Sequence, residues 1–316
     1  MGVSKLSNFY ERSLGFVRRQ IREFKRRPAR QYENALVKRN WYDLSARSEL
    51  PIVFIGGCGR SGTTLLREIL NRHSKLFCGP ETSMFGMPFW PDNISKMWNL
   101  DEKTLKSSAQ VTDNLVHFAE KFYIGQSSRA GKTRPSDKTP NNIRVIGKLL
   151  TWFPNARFIH IIRDGRDVSC SLRNHPKEKI DKGKIVPALI NRPIAECAQR
   201  WLSDTSSGLV YRAHPRYHEL KYEDLVTDPE TVLRELCEFL DEDYQPSMVD
   251  PSASRDDNMN VGRLVNNQNS KEKVSNRSLG RWRSDLTLDE KKDFDNVAGE
   301  LLIALGYVDS KDWLNG

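Results

Sequence analysis

The chain has 316 residues, of which 38% are hydrophobic and 29% are charged, so it contains enough apolar material for a folded core. This composition excludes a mostly disordered protein, and no stretch approaches the roughly 18–20 apolar residues of a membrane-spanning helix. Fifty Lys and Arg residues against 41 Asp and Glu leave a formal net charge of +9, which predicts an anionic ligand or surface.

The cysteines and histidines indicate neither disulfides nor a metal site. The five cysteines are widely spaced and contain no CxxC pair. His214 and His218 have the spacing of a metal-binding pair, but Pro215 separates them and no Cys or acidic partner completes a site. Because free cysteines are typical of a reducing compartment and the N-terminus lacks an apolar signal core, we predict a cytoplasmic protein without a metal.

Residues 1–45 are predicted to form a basic amphipathic arm, and residues 46–316 a single domain. In the arm, arginines and lysines alternate with apolar residues at roughly helical spacing, which predicts a helix that ends before Pro28. We favour packing of this helix against its own domain, and contact with an anionic membrane surface is the alternative.

The domain begins with a pattern that is typical of half a βαβ unit. The apolar run over 52–55 predicts a buried parallel strand, two glycines follow it, and a helical period then extends from Thr63 to His73. Further strands and helices alternate, which predicts an α/β fold with a central parallel sheet flanked by helices. The Ser-, Asn- and Asp-rich segment over 250–280 is predicted to be the longest loop. The other predicted elements are a helix over 143–152, a strand over 157–162, a helix opened by Asp167, a helix over 194–209, a strand over 217–222, a helix capped by Asp228 and Pro229, and a last helix with a Thr287–Glu290 capping box that ends at Gly306.

The residues between the first strand and its helix have the spacing of a phosphate-binding loop, GxxxxGxT. Backbone N–H groups and the positive end of the helix would hold an anion there. Thr63 stands where nucleoside-triphosphate enzymes have a lysine, and Arg60 supplies a cation earlier in the loop, which argues against a kinase or NTPase. The candidate anion-binding residues of this loop are Gly59, Arg60, Ser61, Gly62, Thr63 and Thr64.

A second candidate phosphate site follows the strand over 157–162. Arg163 stands at the carboxyl end of that strand and offers a planar fork to a phosphate, and Ser171 adds a hydroxyl eight residues later. A salt-bridged turn over 163–167 is the alternative interpretation.

Together these two segments resemble the sulfotransferases that use 3′-phosphoadenosine 5′-phosphosulfate (PAPS), in which the first binds the 5′-phosphosulfate and the second the 3′-phosphate. Two later segments, around Tyr222 and over 278–283, follow in the family's order, so the resemblance covers about 51–306 and is nearest the branch containing tyrosylprotein sulfotransferases. It implies a P-loop-like sulfotransferase fold, PAPS as donor, adenosine 3′,5′-bisphosphate as product and no metal. The further nucleotide contacts that it implies are Tyr222, Ser278, Gly280, Arg281 and Trp282.

The resemblance also implies the catalytic residues. Glu81 would be the general base, and Lys138 and Arg60 would stabilise the transferring sulfuryl group and the leaving phosphate. An exposed loop carboxylate and a surface lysine are the alternative interpretations of Glu81 and Lys138.

The acceptor is predicted from departures within the resemblance. Ser83 and His175 replace arginines of tyrosylprotein sulfotransferases, and Gly280 replaces a serine. We therefore predict a hydroxyl or amine of a small molecule as the acceptor, with a protein tyrosine or a carbohydrate as the alternative. A P-loop nucleotide kinase and a non-enzymatic polyanion binder are more remote hypotheses, and no nucleic-acid partner is predicted.

Overall fold

The computed structural model describes residues 31–86, 91–174, 177–181, 184–188, 191–250, 252 and 279–315. The helix predicted before Pro28 and the predicted nucleotide contact Ser278 lie outside the described residues, as does nearly all of the loop predicted over 250–280. Residues 31–38, within the predicted arm, form a helix, α1.

Five parallel strands form the central sheet in the order β2-β3-β1-β4-β7, and β5 and β6 form a separate antiparallel hairpin. The first strand lies in the middle of the sheet, where its apolar residues are buried on both faces. The predicted α/β architecture is therefore confirmed. The strands are β1 Val53–Gly56, β2 Leu76–Cys78, β3 Arg134–Lys138, β4 Arg157–Ile162, β5 Lys177–Asp181, β6 Lys184–Ala188 and β7 Tyr217–Lys221.

Helices cover the sheet, and most of the predicted ones are confirmed, including the capping box of the last helix. Four helix boundaries differ from the prediction. Asp164, not Asp167, caps its helix by accepting the N–H of Arg166, and Tyr222 begins a helix instead of ending a strand. The helix predicted over 143–152 begins at Ile146, after a 3₁₀ turn, and the helix predicted to reach His73 ends at Asn71. The helices are α2 Thr63–Asn71, α3 Pro91–Trp98, α4 Glu102–Val111, α5 Leu115–Arg129, α6 Ile146–Trp152, α7 Gly165–Arg173, α8 Ile194–Leu209, α9 Tyr222–Thr227, α10 Pro229–Phe239, α11 Trp282–Asp285 and α12 Leu288–Ala304, with 3₁₀ turns at Pro140–Arg144, Pro246–Val249 and Lys311–Asn315.

Three apolar clusters hold these layers together. The first contains Phe54 and Phe85 and lies on one face of the sheet, and the second contains Ile55 and lies on the other. The third joins α7, α8 and α12 around Trp201 and Phe294. Alternate residues of a strand point to opposite faces of the sheet. Phe54 of β1 therefore packs in the first cluster and Ile55 in the second.

All five cysteines are free and buried. Cys78 and Cys237 belong to the second cluster, and Cys58, Cys170 and Cys197 to the third. Burial raises the pKa of Cys78 to about 12 and that of Cys237 to about 11, so both remain thiols near neutral pH. The cytoplasmic location stays a prediction.

Among the residues that the structure describes, no group of three or more His, Cys, Asp and Glu side chains is arranged to hold a metal ion. Within the same ranges, no helix combines the length and the hydropathy that crossing a membrane requires.

Candidate active site

The candidate site residues follow the carboxyl ends of adjacent strands. In a parallel sheet these ends meet at one edge, which is the usual place for a ligand in an open α/β fold. Residues that lie far apart in sequence are thereby brought together. Across the sheet they are Glu81 after β2, Lys138 at the end of β3, the loop 57–64 after β1, Arg163 after β4 and Tyr222 after β7.

The loop 57–64 has the backbone conformation of an anion-binding turn. Gly57, Arg60 and Gly62 have positive φ angles of 154°, 76° and 96°. A Cβ on Gly57 would overlap the carbonyl oxygen of Ile161, so the loop approaches β4 more closely than another residue would allow. Gly62 precedes α2 without a side-chain cap, which leaves the first turn of that helix to an anion.

Replacing Gly62 tests this loop. A Cβ there would overlap the Tyr222 ring and lie 2.8 Å from its Cε2 atom, at a φ that L-residues rarely adopt. We expect Gly62→Ala to lower the free energy of unfolding in urea by roughly 2–4 kcal/mol. Gly131→Ala is the matched control, because Gly131 also has a positive φ of 68° but an open Cβ position; it should cost only about 1 kcal/mol. Equal losses would show that the contact with Tyr222 is unimportant.

Arg163 and Tyr222 form the wall beside the loop. The Arg163 guanidinium lies 4.5 Å from the centroid of the Tyr222 ring, and its Nη1 donates to the carbonyl oxygen of Arg60 at 3.3 Å. Both side chains are buried, which restricts their motion. The structure thus places both residues against the loop, and their contacts with a nucleotide stay predictions.

Arg60 reaches across the site. Its Nε donates to Ser171 Oγ at 2.9 Å, so two residues predicted at opposite ends of the donor are in contact. Desolvation by the surrounding groups, followed by the nearby Arg163 and Arg281 cations, lowers the pKa of Arg60, and Glu81 opposes this shift. A guanidinium stays charged at neutral pH even so, and the three arginines create a strongly positive region.

Glu81 and Lys138 form an ion pair. Lys138 Nζ donates to Glu81 Oε1 at 2.6 Å, and the exposed fractions of the two side chains are 3% for Lys138 and 39% for Glu81. The buried ammonium therefore presents its charge to a carboxylate that solvent can reach. Glu81 Oε2 accepts no hydrogen bond from any residue that the structure describes, so it is placed to take a proton.

Comparison with known families matches residues 51–246 to the model described as "Sulfotransferase family". The chain belongs to the sulfotransferase family. Similar curated proteins are protein-tyrosine sulfotransferase A of Caenorhabditis elegans, 26% identical over 271 residues (81% of this chain), and the protein-tyrosine sulfotransferase of Drosophila melanogaster, 24% identical over 291 residues (87% of this chain). The chain spans 67% and 55% of the lengths of these two relatives.

Solved sulfotransferase domains share the fold. The domain of the Synechococcus PCC 7002 olefin synthase is 23% identical with a TM-score of 0.57, covering 81% of this chain and 95% of that one. The domain from the curacin biosynthetic pathway is 20% identical with a TM-score of 0.55, covering 81% of this chain and 98% of that one. These matches confirm the predicted sulfotransferase fold.

The segment 279–282 of this sulfotransferase is anchored to α7. Asp167 accepts the backbone N–H of Gly280 at 2.8 Å and that of Trp282 at 3.1 Å. The Trp282 ring is buried with the Arg166 guanidinium 3.8 Å from its centroid, and Arg281 pairs with Asp285. Nucleotide contacts from Gly280, Arg281 and Trp282 stay predictions, and the anchor explains how this segment is held at the site edge.

One polar group beside the loop was missed from the sequence. Asp204 is buried in α8 and accepts from Arg144 Nε at 2.6 Å and from Arg200 Nε at 3.5 Å. Arg200 Nη2 lies 3.2 Å from the position that a Cβ on Gly59 would take. The sequence signal that could have identified Asp204 is its position three residues after Trp201, which places a carboxylate on the apolar face of α8.

Proposed function

We propose that this chain transfers the sulfuryl group of PAPS to a hydroxyl group. The observation that carries the proposal is the 2.6 Å contact between Glu81 and Lys138 beside a phosphate loop. Sulfuryl transfer needs a base for the acceptor and cations for the leaving phosphate, and this contact supplies one of each.

The residues at the sheet edge suit a donor with two anionic ends. The loop 57–64 and the first turn of α2 offer backbone N–H groups to the 5′ end. Arg163 and Ser171 offer a guanidinium and a hydroxyl to the 3′-phosphate. Arg60 now contacts Ser171, and a phosphate bound there would compete for the same hydroxyl.

The proposed mechanism uses three side chains. Glu81 accepts the proton of the acceptor hydroxyl while the hydroxyl oxygen forms a bond to sulfur. The bond between sulfur and the phosphate oxygen breaks, and the electron pair stays on the phosphate of adenosine 3′,5′-bisphosphate. Lys138 and Arg60 stabilise the negative charge on the leaving oxygen and the transferring group, where preorganised cations are most effective.

For the acceptor, we propose a phenolic hydroxyl and test the tyrosine side chain first. The relatives named protein-tyrosine sulfotransferases support this alternative better than the small molecule predicted from Ser83 and the other departures. The predicted carbohydrate acceptor has no comparable support among the similar proteins named above.

The donor proposal is tested by calorimetric titration with adenosine 3′,5′-bisphosphate. We expect metal-independent binding that is roughly 10- to 100-fold tighter than binding of adenosine 5′-monophosphate, because the second ligand lacks the group that Arg163 and Ser171 would hold. ATP with magnesium is the paired control. Preference for magnesium–ATP would favour the nucleotide kinase hypothesis instead.

The acceptor proposal is tested by transfer of radiolabelled sulfate from PAPS. N-acetyltyrosine amide and 4-nitrophenol are the phenolic probes, and an alkyl alcohol and a hexosamine are the comparisons. Label in the phenols alone supports the proposal. Label in the alcohol or the sugar alone would overturn the acceptor proposal while leaving the donor proposal standing.

A further inference from the structure

Thr82 and Asp137, the sequence neighbours of Glu81 and Lys138, are also in contact, and both are buried. Asp137 precedes Lys138 in β3 and pairs with Phe54, which faces the first cluster, whereas Lys138 pairs with Ile55, which faces the second. Successive strand residues point to opposite faces. Asp137 therefore makes its contacts on the face of the sheet opposite to that of Lys138.

Those contacts form a closed hydrogen-bond network. Asp137 Oδ1 accepts from Thr139 Oγ1 at 2.9 Å, and Asp137 Oδ2 accepts from Thr82 Oγ1 at 3.2 Å. Thr139 Oγ1 in turn accepts the backbone N–H groups of Thr82 and Ser83, both at 3.3 Å. The Tyr123 hydroxyl lies 3.1 Å from Thr82 Oγ1. The residues that follow Glu81 are thus tied to the end of β3 at several points.

The network lies where apolar side chains would be expected. Asp137 and Thr82 are 1% and 2% exposed, and Tyr123 belongs to the first cluster. A buried carboxylate adds little net stability compared with apolar side chains of the same volume, but a fully hydrogen-bonded network fixes one geometry. The network therefore fixes the positions of its residues and adds little to the stability of the fold.

Glu81 needs such support because it lies on a loop. Its described hydrogen bond is the one from Lys138, its side chain is partly exposed, and two residues later Ser83 turns the chain with a φ of 50°. A displacement of about 1 Å in a catalytic group can lower a rate roughly 10²-fold. We propose that Asp137 is a positioning residue that, through Thr82, Thr139 and Tyr123, holds Glu81 against Lys138. This inference rests on the proposed sulfuryl transfer.

Paired variants of Thr82 test the proposal. Thr82→Val keeps the shape and removes the hydroxyl, and Thr82→Ser keeps the hydroxyl. With PAPS and N-acetyltyrosine amide, we expect Thr82→Val to lower kcat by about 10- to 100-fold, with the Kd for adenosine 3′,5′-bisphosphate unchanged. Thr82→Ser should restore kcat to within about threefold of the parent chain. A merely structural role would not separate kcat from nucleotide affinity in this way.

A second pair removes one buried hydroxyl at a time. Tyr123→Phe removes the contact to Thr82, whereas Tyr217→Phe removes a 2.6 Å contact to His160 in another part of the sheet. We expect only Tyr123→Phe to lower kcat, although both should lower the urea midpoint. This pair keeps the test decisive if Thr82→Val does not fold.

The outcomes separate the two proposals. A parent chain that fails to bind adenosine 3′,5′-bisphosphate contradicts the proposed function itself. A parent chain that binds and transfers, together with a Thr82→Val or Tyr123→Phe variant of unchanged kcat, contradicts the positioning role alone.

Discussion

Glu81→Gln is expected to lower kcat for sulfuryl transfer by about 10²- to 10⁴-fold, the usual contribution of a general base. The amide keeps the shape of the side chain and an oxygen for the hydrogen bond from Lys138, so the site geometry should be preserved. The affinity for adenosine 3′,5′-bisphosphate should not change, because the phosphate loop and Arg163 are untouched. Steady-state transfer to N-acetyltyrosine amide, whose phenol stays protonated near neutral pH, and calorimetry measure the two quantities.

Glu230→Gln is the matched control for this experiment. Glu230 also pairs with a cation, Arg234, but on the exposed surface of α10, so its replacement should leave kcat unchanged. Near-normal transfer by Glu81→Gln would show that another group, or water alone, accepts the proton.

Lys138→Met is expected to lower kcat by about 10²- to 10³-fold, as is typical when one preorganised group that stabilises transition-state charge is removed. Methionine fills a similar volume in the buried site, so the loss reflects the charge. Because the variant also leaves Glu81 without its partner, the double variant Glu81→Gln/Lys138→Met should lose less than the product of the two single losses. A double-mutant cycle on kcat measures this coupling.

Lys75→Met provides the control for Lys138→Met, since Lys75 pairs with Glu242 at 2.9 Å away from the phosphate loop. It should retain full turnover. Strict multiplicativity of the Glu81 and Lys138 effects would mean that the ion pair has no role in transfer beyond its separate members.

The sequence predicted three strands of the central sheet, β1, β4 and β7, and missed β2 and β3. The run over 157–162 became β4 with the predicted bounds, because β-branched and aromatic residues suit a strand that is buried on both faces. The third strand, Arg134–Lys138, contains no apolar residue except Pro135, and it is extended because Ser136, Asp137 and Lys138 pair with β1. Such tertiary pairing leaves no local pattern.

Only part of the candidate site could be predicted from the sequence. The phosphate loop and Arg163 carried their own signals in the spacing of the residues, and the resemblance added Glu81 and Lys138. The contact of Arg60 with Ser171 spans 111 residues, and its partners depend on how β1 and α7 pack. Thr82 and Tyr123 had no signal at all, because a small hydroxyl and a core aromatic are common everywhere in a folded chain.

The five buried cysteines can be used to measure local unfolding of the protein. A buried thiol reacts with an alkylating reagent only when the surrounding structure opens, so the labelling rate measures the free energy of that opening. Cys237 belongs to the second cluster and Cys197 to the third. Equal labelling rates at these two thiols would indicate one cooperative unit, and unequal rates would rank the two clusters by local stability without any engineered probe.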